Sequence, residues 1–193
     1  MKYFKKLEGE RIYLSPISIE DAEIYVKWLS DRSVTDGIGG TKNLGNIEGE
    51  KAWIAKCLEE GKKNFAIVLK ENDKLIGNCG LDGFDNVARS ATLGIFIGDE
   101  EYRGNGYGAE AIKLLLEYGF NTLNLHNICL GVFSFNERAI ACYKKVGFKE
   151  YGRRHECYFL DGKYHDRIEM EILEDDTSLV FSSLFCLFSF SSL

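Results

Sequence analysis

Apolar and polar residues alternate over Arg11–Pro16 (RIYLSP), the period-two pattern of a half-buried strand. Ser18-Ile-Glu-Asp21 then has the form of a capping box, followed by Ala22, Tyr25, Val26 and Leu29 on one helical face. Residues 31–46 (DRSVTDGIGGTKNLGN) are rich in Gly, Asn and Asp and predict a long loop. A second helix is expected over 48–60, burying Ile54, Ala55 and Leu58, with Gly61 stopping it. Three strands follow: Asn64–Leu69, Lys74–Leu81 and Ala91–Ile97, the first two joined by a turn at Asn72-Asp73. A third helix spans about 106–122, its buried stripe being Ile112, Leu115, Leu116, Gly119 and Phe120. Ile128–Phe133 is a fifth strand, and a fourth helix covers about 137–146, ended by Gly147. Two last strands, near 149–159 and 164–173, turn at Asp161-Gly162.

The order is therefore β-α-α-β-β-β-α-β-α-β-β, an α/β (α+β) domain over residues 1–174. It predicts a mixed, mostly antiparallel seven-stranded sheet with four flanking helices. Residues 175–193 depart from this pattern. The stretch Thr177–Leu193 (TSLVFSSLFCLFSFSSL) is a Ser/Phe/Leu segment, expected to be an added or read-through tail outside the catalytic core. At 17 residues with six serines it falls short of the ~20 apolar residues of a membrane span.

Composition narrows the function. The chain has 193 residues, 45% hydrophobic and 28% charged, with a net charge of -6 and a pI near 5.2. That balance argues against nucleic acid as the main ligand and is compatible with cationic partners such as amines. The six cysteines and three histidines show no metal-ligand spacing, so no metal is expected. An N-terminus without an apolar signal region implies the cytoplasm and reduced thiols.

The chemistry concentrates in two stretches. In Glu101–Ala111 (EYRGNGYGAEA), Gly104, Gly106 and Gly108 open a helix directly after a strand. Glycine weakens a helix, so three at its entrance mark either a tight turn or an anion site on the free first-turn N–H groups. A Walker loop is excluded, because no Gly-Lys-Ser/Thr follows. The Rossmann spacing is met by Gly106, Gly108 and Ala111, but the motif follows a hairpin-linked run of strands. No Asp or Glu lies near the end of the next strand to hold a ribose. Another ligand carrying a pyrophosphate fits better. The second stretch, Asn136–Phe148 (NERAIACYKKVGF), places Asn136, Ala139 and Tyr143 on one helix face behind an Asn cap. Taken alone, its tyrosine reads as a ring packed on the sheet.

Together the two stretches resemble the GNAT acyltransferases. The acetyl-CoA signature of that family, Arg/Gln-x-x-Gly-x-Gly/Ala, is matched by Arg103, Gly106 and Gly108. Its Asn-x-x-Ala-x-x-x-Tyr-x-x-x-Gly-Phe motif is matched by Asn136, Ala139, Tyr143, Gly147 and Phe148. The opening ERIYLSPISIEDAE, EYGFNTLNLHNI and the closing HECYFLDGKYHDRIEMEIL further resemble the ribosomal-protein N-terminal acetyltransferases (RimJ/RimL-like) and the spermidine N-acetyltransferases. The resemblance implies an acetyl-CoA-dependent N-acetyltransferase. Backbone groups of Phe96, Ile97 and Gly98 would pair with the pantetheine arm between two splayed strands. The pyrophosphate would rest on Arg103, Gly104, Asn105, Gly106, Tyr107 and Gly108. Asn136 would hold the pantetheine or a water, a backbone N–H near Ile97 would receive the oxyanion, and Tyr143 would protonate the leaving thiolate as general acid. Glu101, Asp82 and Asp85 stay open as bases beside a water chain. The implied acceptor is a protein N-terminal α-amine or a small amine. A polyamine acetyltransferase and a catalytically silent CoA-binding sensor are the alternatives, with homo-oligomerisation left open.

Overall fold

The computed structural model describes residues 2–177. Eight strands form one sheet: β1 (Leu7–Glu8), β2 (Ile12–Pro16), β3 (Lys63–Leu69), β4 (Leu75–Asp85), β5 (Ser90–Ile97), β6 (Asn127–Phe133), β7 (Lys149–Leu160) and β8 (Lys163–Leu173). Their order across the sheet is β1-β2-β3-β4-β5-β6-β8-β7. The seven expected strands are present. The eighth, β1, is a two-residue edge pairing with β2, too short to show alternation in the sequence.

Among the described residues, five α-helices flank the sheet rather than four: α1 (Ala22–Leu29), α2 (Arg32–Ile38), α3 (Ile47–Glu59), α4 (Tyr107–Glu117) and α5 (Glu137–Val146). The correction is α2, which lies inside the segment expected to be loop. Its sequence, RSVTDGI, combines β-branched residues with a glycine and is a poor helix former. Seven residues are also too few to be stable alone, so α2 depends on the Asp31 cap and on what it packs against. Smaller corrections follow from the same preference for packing over local pattern. In place of the expected capping box, Ser18 caps a 3-10 turn at Ile19–Asp21 by accepting from Glu20 N, while the buried Asp21 carboxylate binds Tyr3 and Lys2. α1 buries Ala22, Tyr25 and Trp28. In α3, Ile54 and Cys57 are buried while Leu58 stays exposed. The stripe expected on the third helix is buried throughout, but α4 ends at Glu117 and continues as a π turn, Tyr118–Thr122.

The sheet carries a separate core on each face. One joins β2–β6 and β8 to α4, with Ile112, Leu115 and Leu116 fully buried. The other, on the α1/α3 side, packs Tyr13, Tyr25 and Trp28 together with Ile17, Val34, Ile54 and Val68. Phe96 meets Tyr25 and Trp28 edge-on there. No helix of the described residues is long and apolar enough to cross a membrane. The expected tail beyond residue 177 lies outside the described residues. Before it, Asp176 still pairs with Lys149 at 2.6 Å.

Candidate active site

One interruption of the sheet creates the site. All neighbouring strands are antiparallel except β5 and β6, which run parallel and pair only from Ser90–Asn127 to Thr92–Cys129. Beyond that point β5 stays with β4 to Ile97, and β6 stays with β8 to Phe133. The strands therefore part, and a cavity of about 490 Å³ opens between them. Gly98 N donates to Ile76 O at 2.9 Å. By antiparallel alternation, Phe96 also faces β4 with its backbone, while Ile95 and Ile97 turn theirs into the gap. Of the three residues expected to pair with a ligand there, Ile97 has the backbone orientation for it.

The glycine stretch forms the rim. A 3-10 turn, Glu100–Tyr102, is capped by Asp99, and Arg103 leaves it in extended conformation. Gly104 and Gly106 sit at φ +80° and +86°, the left-handed region that ordinary residues avoid. Gly106 is the N-cap of α4 and offers no side-chain bond. The first intrahelical bond is Glu110 N to Gly106 O at 3.1 Å, so the N–H groups of Tyr107, Gly108 and Ala109 have no acceptor within the helix. The macrodipole adds positive potential at that end. Arg103 is used differently from the sequence expectation. Its N–H bonds to Glu100 O, and its guanidinium donates to Ile97 O (2.9 Å), Gly98 O (2.7 Å) and Ser33 Oγ (2.9 Å). It fastens the end of β5 to α2 and so does not itself fill the loop from Gly104 onward.

α5 forms the opposite wall. Asn136 caps it, accepting from Ala139 N at 3.2 Å, and its amide nitrogen abuts Gly37 of α2. Asn136, Ala139 and Tyr143 all border the cavity, as their shared helix face predicts. Tyr143 is half-buried, with Phe148 edge-on at 6.0 Å. Burial first, then the neighbouring Cys142, pushes its phenol pKa up to about 12. It therefore stays protonated at neutral pH.

Residues 11–149 match the family model of the acetyltransferase (GNAT) domain. The chain belongs to the GNAT acetyltransferase family. It is 31% identical over 149 residues to an uncharacterized N-acetyltransferase, p20, of Bacillus licheniformis, covering 76% of this chain and 83% of that protein. Spermidine N(1)-acetyltransferase of Escherichia coli strain K12 is 32% identical over 127 residues, 66% of this chain and 60% of that one. Among solved structures, a Vibrio cholerae spermidine N-acetyltransferase in complex with CoA and spermine superposes with a TM-score of 0.80. That pair is 25% identical, covering 87% of this chain and 98% of that one. The chain is an acetyl-CoA-dependent N-acetyltransferase.

The cavity suits the anionic co-substrate of a GNAT enzyme. Free helix donors lie at one end, and Arg103, Arg138 and Lys145 border it. No Asp, Glu or His of the described residues lines it. Asp82 and Asp85, left open as bases, border a different cavity of about 410 Å³, and Glu101 is a largely exposed side chain 3.8 Å from Lys74. Among the described residues there is also no group of three or more His, Cys, Asp and Glu that could hold a metal. The sequence reading missed α2, whose Ser33, Val34, Gly37 and Ile38 close one side of the cavity. Asp31 was its available signal, since an Asp before a short run is an N-cap candidate, and here it accepts from Ser33 N at 2.8 Å.

Proposed function

We propose that this GNAT enzyme acetylates a primary amine of low pKa, a peptide α-amine or a comparable small monoamine, as in the RimJ/RimL-like reading. The supporting observation is the cavity wall without a carboxylate or imidazole. The reacting end of CoA in this cavity has no carboxylate or imidazole of the described residues beside it, so in this reading the acceptor loses its proton to water. At pH 7.5 an α-amine with pKa ~7.8 is about one-third neutral, whereas an amine with pKa ~10.4 is about 0.1% neutral. That difference favours the α-amine by roughly two orders of magnitude before any contact is counted. Asp36 of α2 and Asp161 of the β7–β8 turn share Arg32, which offsets one of their two charges and weakens their pull on a polycation. The second reading, a polyamine acceptor, draws on the relatives named spermidine N-acetyltransferases.

In this reading acetyl-CoA supplies the activated acetyl thioester. The N–H groups from Gly104 to Gly108 hold its diphosphate, and the Ile97 N–H, its own C=O being held by Arg103, donates to the charge that develops on the thioester carbonyl oxygen. Tyr143 gives its proton to the departing sulfur, as a group that remains protonated well above neutrality can. Asn136 keeps α5 and α2 in register beside it. Tyr143→Phe keeps the ring's packing and removes only the hydroxyl. We expect kcat to fall about 100-fold or more with CoA affinity nearly unchanged. A kcat within about threefold of the parent would sink the acid role. Steady-state rates on peptides with free N-termini and on spermidine test the acceptor. A kcat/KM for spermidine about tenfold above every peptide would overturn the α-amine reading.

A further inference from the structure

We infer that Arg11, at the start of the first long strand and far from both family motifs, is a positioning residue that aims the glycine-loop donors at the diphosphate of CoA. Its guanidinium reaches the loop from outside. Nη1 donates to Asn105 O at 3.0 Å, and the group lies 4.4 Å from the ring centroid of Tyr107. Nη2 would be 3.3 Å from a Cβ on Gly106. A trans peptide points its C=O and the following N–H in opposite directions. Holding the Asn105 carbonyl toward Arg11 therefore turns the Gly106 N–H away from it, toward the cavity. Gly104 and Gly106 flank Asn105 without side chains to restrain the backbone. The Asn105 side-chain amide bonds Glu101 O at 2.9 Å, and Arg11 adds the hold on the Asn105 peptide plane itself.

Glu110 fixes the arginine in turn. Its Oε2 pairs with Arg11 Nε at 3.0 Å, and its Oε1 accepts from Arg11 N at 2.8 Å and Ile12 N at 3.3 Å. Gly9 leaves room for this carboxylate, since a Cβ there would fall 2.6 Å from Oε1. The pair ties the first turn of α4 to β2 and neutralises an acid that would otherwise oppose an anion at a helix N-terminus.

The inference rests on the loop being the diphosphate seat, and titration calorimetry with CoA separates the two ideas. Arg11 is exposed, so Arg11→Ala should fold. Its CoA Kd should rise about tenfold, the scale of a lost charged hydrogen bond, and the Gly106 amide resonance should move in the unliganded protein. Glu110→Gln supplies a sign test. If only charge mattered, removing an acid near the anion would tighten CoA. In the brace, Gln keeps Oε1 on the backbone donors and turns its NH₂ toward Arg11 Nε, two donors face to face, so the arginine is released and CoA binds about threefold more weakly. An unchanged Kd in folded Arg11→Ala, or tighter binding in Glu110→Gln, overturns the brace. If folded Gly108→Leu also binds CoA like the parent, the seat itself is wrong and the brace falls with it. If Gly108→Leu weakens binding while the Arg11 and Glu110 variants do not, the brace alone is wrong.

Discussion

α3 and α4 begin in opposite ways. α3 starts at Asn46 in extended conformation, whose side chain accepts from Gly49 N at 2.8 Å, with Glu48 and Glu50 in its first turn. Its free N–H groups and its dipole are answered from within the helix. α4 starts at a left-handed glycine with no side-chain cap, and the one acid in its first turn, Glu110, is bound to Arg11 and the β2 backbone. Its donors are left for something else. The first entrance stabilises the fold. The second gives up that stabilisation and leaves its donors at the gap between β5 and β6, where the proposed diphosphate seat lies.

The contrast is broken most directly at Gly108. This residue lies inside α4 at an ordinary helical φ, and the nearest atom to an added Cβ is Ile97 Cγ1 at 3.9 Å. Leucine is a better helix former than glycine by several tenths of a kcal/mol or more, so Gly108→Leu should melt no lower than the parent. Its side chain would nevertheless cover the first-turn donors, and CoA affinity should fall tenfold or more, as for one or more lost charge-assisted hydrogen bonds. Stability and binding would move in opposite directions. A lower melting temperature with normal CoA affinity would mean that α4 opens for a structural reason.

The same experiment at α3 should show the converse. Asn46→Ala removes a cap and should cost about 1 kcal/mol. For a domain of this size that lowers the melting temperature by about 2–4 °C. CoA affinity and kcat should be unaffected. A change in CoA affinity would mean that the two entrances communicate through the sheet, and that the α3 cap serves the site as well as the fold.

What the sequence displayed follows the distinction between local and distant causes. The α4 stripe and the Asn136–Tyr143 face are periodic features of contiguous residues, and each appears in the structure where it was expected. The alternation expected over Arg11–Pro16 does not become a half-buried strand: Ile12, Tyr13, Leu14 and Ser15 are all buried, because the sheet carries a core on each face. The glycines announced an entrance of unusual freedom, but not what holds it. Arg11 is 99 positions from Glu110, and its role is invisible until β2 and α4 are adjacent. Arg103 carries the family signature, yet its guanidinium is spent on Ile97, Gly98 and Ser33, partners set by the turn and by α2. α2 itself was hidden because its composition argues against a helix and only its neighbours hold it. The carboxylates left open as bases could not be sorted by sequence either, since only the fold shows that Asp82 and Asp85 border another cavity.

The smallest expected effect concerns how far the open end of α4 reaches. Tyr143 borders the same cavity as Gly108, so two influences on its phenol compete. The positive potential of the uncapped N-terminus favours the phenolate and lowers the pKa. Burial favours the neutral phenol and, with the neighbouring Cys142, raises the pKa to about 12 against an ordinary ~10. With both substrates saturating, kcat should therefore vary by no more than about twofold between about pH 8.5 and 10, with no alkaline fall from Tyr143. The stability effect has a definite sign. Above about pH 10 the unfolded chain loses this proton while the folded chain keeps it to about 12. Folding stability from this group is thus fully present below about 10 and is lost as pH rises toward 12. Tyr3, Tyr13 and Tyr25, all raised by burial first, push the same way. Tyr143→Phe should remove one share of that alkaline loss, read as a melting temperature that declines less steeply above about pH 10. An alkaline limb in kcat centred near 9, absent from Tyr143→Phe, would show that the helix end governs the phenol. The open entrance of α4 would then tune the proton donor as well as seat the anion.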